Sequence, residues 1–248
     1  MTRSDSPPDG AADLDSLVRR ADPDRWLASR FIADTRTRAD VIALYAFNNE
    51  LARIAESVHE PLMGEIRLTW WREAVEEIFA GGAMRHHPVV EALAGAVRRR
   101  GLARAPLDAM IEARFADLEP EILAEEAALD GYLDGTAGAV MALGAAITAA
   151  TADAEALRPV ARAWGLAGLL RLRQAGVARL PARWDADRVR AAVLQALADA
   201  RRGVGALPVE AFPAVAYATL ARPYAAGRAP SELEKRLRLT AATLTGRL

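Results

Sequence analysis

The chain has 248 residues, of which 52% are hydrophobic and 26% charged, with a formal net charge of −1 and no cysteine. That much apolar matter builds a sizeable core and excludes a disordered chain, while the near-zero charge calls for no nucleic-acid partner. Without thiols there are no disulfides or thiolate metal sites, and His59, His86 and His87 are too few for a histidine-rich metal centre.

The polar opening MTRSDSPPDGAADLD has no apolar segment of the secretory type, and residues 1–21 read as a flexible tail. Beyond it, apolar residues recur at helical spacing. Val41, Leu44, Tyr45, Leu51, Ile54 and Val58 predict one helix, with Asp40 near its start. Glu65 to Phe79 predicts the next, with Ile66, Trp70, Ala74 and Ile78 as its buried stripe, Arg72 and Glu76 as an i,i+4 pair and Gly81-Gly82 as its stop. Val89 to Arg99 makes a third helix, whose basic end suits the dipole. A fourth starts near Pro106 and runs on through Leu118 and Ile122. Leu129 to Ala149 is rich in Ala and Gly, which lets helices approach closely; the longest small-apolar run, Ala137 to Ala150, is too short to span a bilayer. Helices over Glu155 to Arg173, Ala186 to Arg202 and a basic one from Ser231 complete the pattern. No alternating strand pattern competes, and the breaks are short, so residues 22–248 read as one all-α domain.

Several separate blocks carry a resemblance, in order along the chain. They are Asp24-Arg25-Trp26, Ala43-Leu44-Tyr45-Ala46-Phe47, Arg67-Leu68-x-Trp70-Trp71-Arg72, Arg114-x-x-Asp117-Leu118, Tyr132 with Gly135-Thr136-Ala137, and Gly165 followed by Leu180-Pro181. Together they resemble the squalene/phytoene synthases over most of residues 22–225. The resemblance implies an isoprenoid-synthase-type helical bundle around a central cavity. In such enzymes two prenyl diphosphates condense, held through magnesium by two aspartate-rich motifs on facing helices, with acids four residues apart.

Here the chain departs from the pattern. The first motif falls at Ala52-Arg53-Ile54-Ala55-Glu56, where one acid remains beside a guanidinium. The second falls between Gly165 and Leu180, yet from Ala163 to Trp184 there is no Asp or Glu, and Arg171, Arg173 and Arg179 stand there instead. The blocks ALYAFN-x-ELAR, Val58-x-Glu60-Pro61 and Gly64-x-Ile66-Arg67-Leu68 resemble more closely a degenerate branch of the family. That branch includes a mitochondrial complex I assembly factor and its bacterial relatives.

Three functions remain open at this stage. One is a non-catalytic assembly or accessory factor that binds another protein, such as a respiratory complex subunit. Another is a prenyltransferase using displaced acids from Glu56, Asp117, Glu119 and Glu121, the only reading that requires Mg2+. The last is an isoprenoid-binding protein. The candidate cavity or ligand residues are Tyr45, Asn48, Asn49, Arg114, Asp117, Arg171 and Arg173; arginine grips phosphate without a metal. Glu56 with Arg53 reads as a surface pair, and His86-His87 as loop residues. No resident metal or cofactor is expected. The location implied is cytoplasmic, with peripheral contact at the inner membrane left open.

Overall fold

The N-terminal helices form where local chemistry starts and stops them. In the computed structural model, which describes residues 9–119, 123, 125–150, 152–176, 180–181 and 183–248, α1 (Asp9–Ala21) leads into α2 (Pro23–Ser29). Asp22 caps α2 by accepting from the Arg25 backbone N–H at 3.1 Å, and Pro23 suits the first helical position. Asp34 caps α3 (Thr35–Ala52) in the same way through Thr37. The one-turn α4 (Ile54–Ser57) follows after Arg53, whose backbone stays in the right-handed helical region. Helices α5 (Pro61–Ala80) and α6 (Pro88–Arg100) each open on proline and end at a glycine, Gly81 and Gly101, with φ of 71° and 62°. Helix α7 is Arg104–Phe115.

The remainder is helical too. The order is α8 (Glu126–Leu133), a π-helical segment Asp134–Gly138, α9 (Ala139–Thr148), α10 (Ala154–Gln174) and α11 (Ala186–Gly205). Two 3-10 segments, Val209–Ala214 and Ala216–Leu220, lead to α12 (Ala221–Ala225) and α13 (Glu232–Thr245). Among the described residues there is no strand, and the fold is all-α.

Two apolar cores fill the bundle. One gathers side chains from α1, α3, α5, α6 and α7, centred on Leu44, Phe47, Leu68, Leu93 and Ile111. The other gathers α10, α11 and the C-terminal segments, centred on Leu166, Val193 and Tyr217. The small-residue helix is the partition. Leu129, Leu133, Met141 and Ala145 face the second core, whereas Val140, Leu143 and Ile147 face the first. The π segment adds a residue to the turn and brings Gly135 against α7. A Cβ at Gly135 would lie 2.6 Å from the Ala113 Cβ and 2.9 Å from the Ala109 carbonyl oxygen.

Several expectations change. Residues 9–21 are not a tail: they form α1, which buries Leu14 and Val18 against α3. On α5 the buried face is Leu68, Trp71, Ala74, Val75 and Ile78, so Ala74 and Ile78 stay in it. Ile66 is 54% exposed, and Trp70 is only half-buried. The reason is that α5 packs on α6 and α7 together, which turns the stripe by about one position. Arg72 bonds Glu112 on α7 rather than Glu76. Helix α7 stops at Phe115, leaving Leu118 in the following turn, and Ile122 lies outside the described residues.

Replacing Gly135 with alanine should lower stability by about 1–3 kcal/mol, because its new methyl meets α7. The same change at Gly131 meets nothing within 4 Å and should be neutral or mildly stabilising. Urea unfolding midpoints of the two variants check this; equal midpoints would contradict the close crossing.

Candidate functional site

The space between the two cores is not apolar. It holds a series of buried polar side chains, contributed mostly by α2, α3, α7 and α8 from the N-terminal half and by the C-terminal segments.

Arg25 sits at the middle, 7% exposed. It donates from Nη1 to Asp22 Oδ2 at 2.7 Å, and its guanidinium lies 5.0 Å from the Tyr217 ring, 5.6 Å from Trp164 and 5.9 Å from Tyr45. Burial works against its charge, but Tyr217 and Asp22 more than offset it, so the group stays firmly cationic. Burial first, then neighbouring Tyr217, raises the pKa of Tyr45 well above its ordinary value of 10.0; burial also raises that of Tyr217.

Beside this lies a second group. Arg114 at the end of α7 donates from Nη1 to Asp117 Oδ2 at 3.1 Å and from Nη2 to Asn48 Oδ1 at 3.3 Å. The Tyr132 hydroxyl donates to Asp117 Oδ1 at 2.9 Å and accepts from Arg114 at 3.3 Å. Burial opposes the Arg114 charge, and Tyr132 and Asp117 raise its pKa in spite of it. The structure thus brings Asn48, Arg114 and Asp117 together, with Tyr45 on the same helix as Asn48. Asn49 is half-buried on α3, with a buried amide nitrogen that has no hydrogen-bond partner.

A third group closes the other end. Asp24 accepts from the Tyr224 hydroxyl at 2.5 Å and pairs with Lys235 Nζ at 2.9 Å. Arg171 lies 3.9 Å from Asp24 and 4.1 Å from the Tyr224 ring centroid, on the exposed end of α10. Arg173 is tied to the Trp184 carbonyl. Neither arginine joins the Asn48–Arg114–Asp117 group, and Arg179 lies outside the described residues. Burial, the hydrogen bond to Asp24 and its charge push Tyr224 up to about 12.

The first-motif positions lie apart. Helix α3 ends at Ala52 and α4 begins at Ile54, so the positions of the motif span the junction of the two. Arg53 and Glu56 point to solvent, and Arg53 pairs with Glu50 at 3.6 Å rather than with Glu56. Glu119 is exposed, and Glu121 lies outside the described residues. Around Arg53 and Glu50 is a shallow cavity of about 310 Å³, walled by Trp70, Trp71 and His87. His87 is more than a loop residue: its Nδ1 accepts from Val89 N–H at 3.3 Å, capping α6.

The carboxylates do not fit the magnesium that the aspartate-rich motifs imply. Asp22, Asp24 and Asp117 each face a cation of the chain's own, and fully buried Asp40 is held between Arg99 at 2.5 Å and Arg100 at 2.7 Å. Among the described residues no three Asp, Glu or His side chains converge as ligands. A hard cation needs several free oxygens, and these are already engaged. Sequence reasoning missed Asp22, Trp164, Tyr217, Tyr224 and Lys235 as members of this interior. It placed the basic end of α6 on the dipole, whereas Arg99 and Arg100 grip Asp40.

A tyrosine whose pKa is higher in the folded than in the unfolded chain supports folding below its unfolded value, near 10.0. That support is lost as pH climbs towards the folded value, about 12 for Tyr224. Tyr45, Tyr217 and Tyr224 should therefore resist ionisation and then titrate together with loss of helix. Phenolate absorbance followed alongside circular dichroism checks this; phenolates forming well before unfolding would refute it.

Comparison with known proteins places this architecture. Two solved structures share the fold. A dehydrosqualene synthase in complex with ligand superposes with a TM-score of 0.77 at 15% identity, over 95% of this chain and 96% of that one. A squalene synthase from Alicyclobacillus acidocaldarius gives 0.68 at 18% identity, over 96% and 94%. Curated relatives named NADH dehydrogenase (ubiquinone) complex I, assembly factor 6 are 31% identical over 127 residues in Homo sapiens and 34% over 128 in Rattus norvegicus. The match takes in 51% of this chain and 38% of the length of each relative. The family model described as squalene/phytoene synthase matches residues 18–172, which leaves Leu180-Pro181 beyond the matched stretch. The match covers more than half of the 248 residues, and the chain belongs to the squalene/phytoene synthase family.

Proposed function

We propose that this chain is a non-catalytic member of its family, one helical unit that takes in α1 as well as residues 22–248 and acts by binding another protein during assembly of a membrane respiratory complex. The observation that carries the first half is the state of the interior acids. Head-to-head condensation has to hold two diphosphates through metal ions, and here every buried carboxylate named above is matched to an arginine or lysine of the chain. The first-motif positions also hold alanine at Ala52 and a single, exposed acid at Glu56. The relatives named for complex I assembly support the second half, although this chain spans only 38% of their length. Work on the cytoplasmic side, peripheral to the inner membrane, suits that role; among the described residues no helix is long and apolar enough to cross a membrane.

Calorimetric titration of the purified chain with magnesium and a farnesyl diphosphate analogue should show no metal-dependent binding. Tight binding that requires the metal, or conversion of farnesyl diphosphate to a condensed product, would restore the prenyltransferase. A deletion strain should lose assembled complex I while its isoprenoid products stay unchanged. Normal complex I with a missing isoprenoid would overturn the assembly role.

A further inference from the structure

The C-terminal helix α13 buries little of its length. Lys235, Leu239 and Ala242 face inward, while Leu233, Leu237 and Leu244 are 68%, 62% and 81% exposed. These three lie four and seven residues apart and share one face of the helix. Close to its end, a cavity of about 800 Å³ opens between α13, α11 and the first 3-10 segment, within the range of about 300–1,000 Å³ typical of ligand sites. Its walls include Val204, Leu207, Phe212 and Leu244, with exposed Arg201 and Arg247 among them. Val209, 77% exposed, extends the apolar surface at its edge.

Beyond its first turn, α13 carries charge of one sign. From Lys235 to Leu248 there are four basic residues and no acid; Lys235 is buried against Asp24 and Arg238 is paired with Glu234, while Arg236 and Arg247 are exposed beside the leucines. The acids at the start of α13 are neutralised by neighbours: Glu232 pairs with Lys235 at 3.0 Å, and Glu234 accepts from Arg238 at 2.8 Å and from Arg228 at 2.7 Å. Those two arginines hold the Glu234 carboxyl down to about 2. A leucine stripe bordered by basic residues, beside an apolar groove, matches a surface that is negative outside and hydrocarbon within. We propose that α13 and the adjoining groove dock this protein on an anionic phospholipid bilayer, with the leucines entering the headgroup boundary and the groove receiving an acyl chain. The near-zero net charge of the whole chain makes this attraction local to one face.

The proposal goes beyond the assembly role and does not need a protein partner, so the two fail separately. Purified full-length chain should float with vesicles of phosphatidylcholine mixed with phosphatidylglycerol, and much less with phosphatidylcholine alone or in high salt. The triple variant Leu233→Ser, Leu237→Ser and Leu244→Ser, altering only exposed side chains, should weaken binding on the order of tenfold with its helix content unchanged. Arg201→Gln with Arg247→Gln should cost about fivefold per charge removed. Failure to float, or leucine and arginine variants that float like the parent, would overturn the proposal. So would sedimentation equilibrium showing that the leucine variant merely converts a dimer to monomer, which would assign the face to a second copy of the chain.

Discussion

Arg25 is buried between two apolar cores, and a guanidinium there has to be matched in charge and covered by rings. Asp22 supplies the charge, and Tyr217, Trp164 and Tyr45 supply the rings. These partners come from four separate stretches of the chain. Asp22 also caps α2, so one carboxylate both starts the helix and neutralises the cation that it carries. Removing the anion would leave a buried charge uncompensated, at a cost of about 3–5 kcal/mol, a large share of the stability of an ordinary domain. The contact joins the two halves of the bundle, since Tyr45 comes from one core and Trp164 and Tyr217 from the other.

The same logic runs through the rest of the interior. Asp24 meets Lys235 and Tyr224 across some two hundred residues of sequence, Asp117 meets Arg114 and Tyr132, and Asp40 meets Arg99 and Arg100. In a synthase, acids inside such a bundle must remain free to take metal ions. Here they serve as counter-ions that hold helices to each other. An acid cannot do both, because an arginine fork and a divalent ion compete for the same lone pairs. Interior cations of this kind engage the acids as structural counter-ions, which supports the proposed reading of the chain as a factor that works through its surfaces.

The small-residue helix is what lets the halves come this close. Gly135 against α7 and Gly165 against Leu133 and Ala137 remove side-chain bulk where helices cross. Beyond the π segment, α9 faces both cores at once, with Met141 and Ala145 towards one and Val140, Leu143 and Ile147 towards the other.

By itself the sequence determined the helical class, the order and most boundaries of the helices, and the loss of acids at both motif positions. These are local or compositional properties: periodicity, proline and glycine stops, and the plain absence of Asp and Glu from Ala163 to Trp184. It also picked out Asn48, Arg114 and Asp117 as candidates, since they fall in the blocks that carry the family resemblance. Only the tertiary structure decided what those residues do. Nothing in the spacing of Arg25, Tyr217 and Trp164, or of Asp24, Tyr224 and Lys235, indicates that they meet, because their separations exceed any helical or turn period. The amphipathic stripe on α5 was misread for a related reason. Its apolar residues run around much of the helix, and only the positions of α6 and α7 choose which of them are buried. The helix over Asp9–Ala21 was hidden by its Asp and Gly content; it buries Leu14 and Val18 because α3 offers them an apolar face. A chain reports its local preferences in one dimension, and its buried charges find their partners only in three.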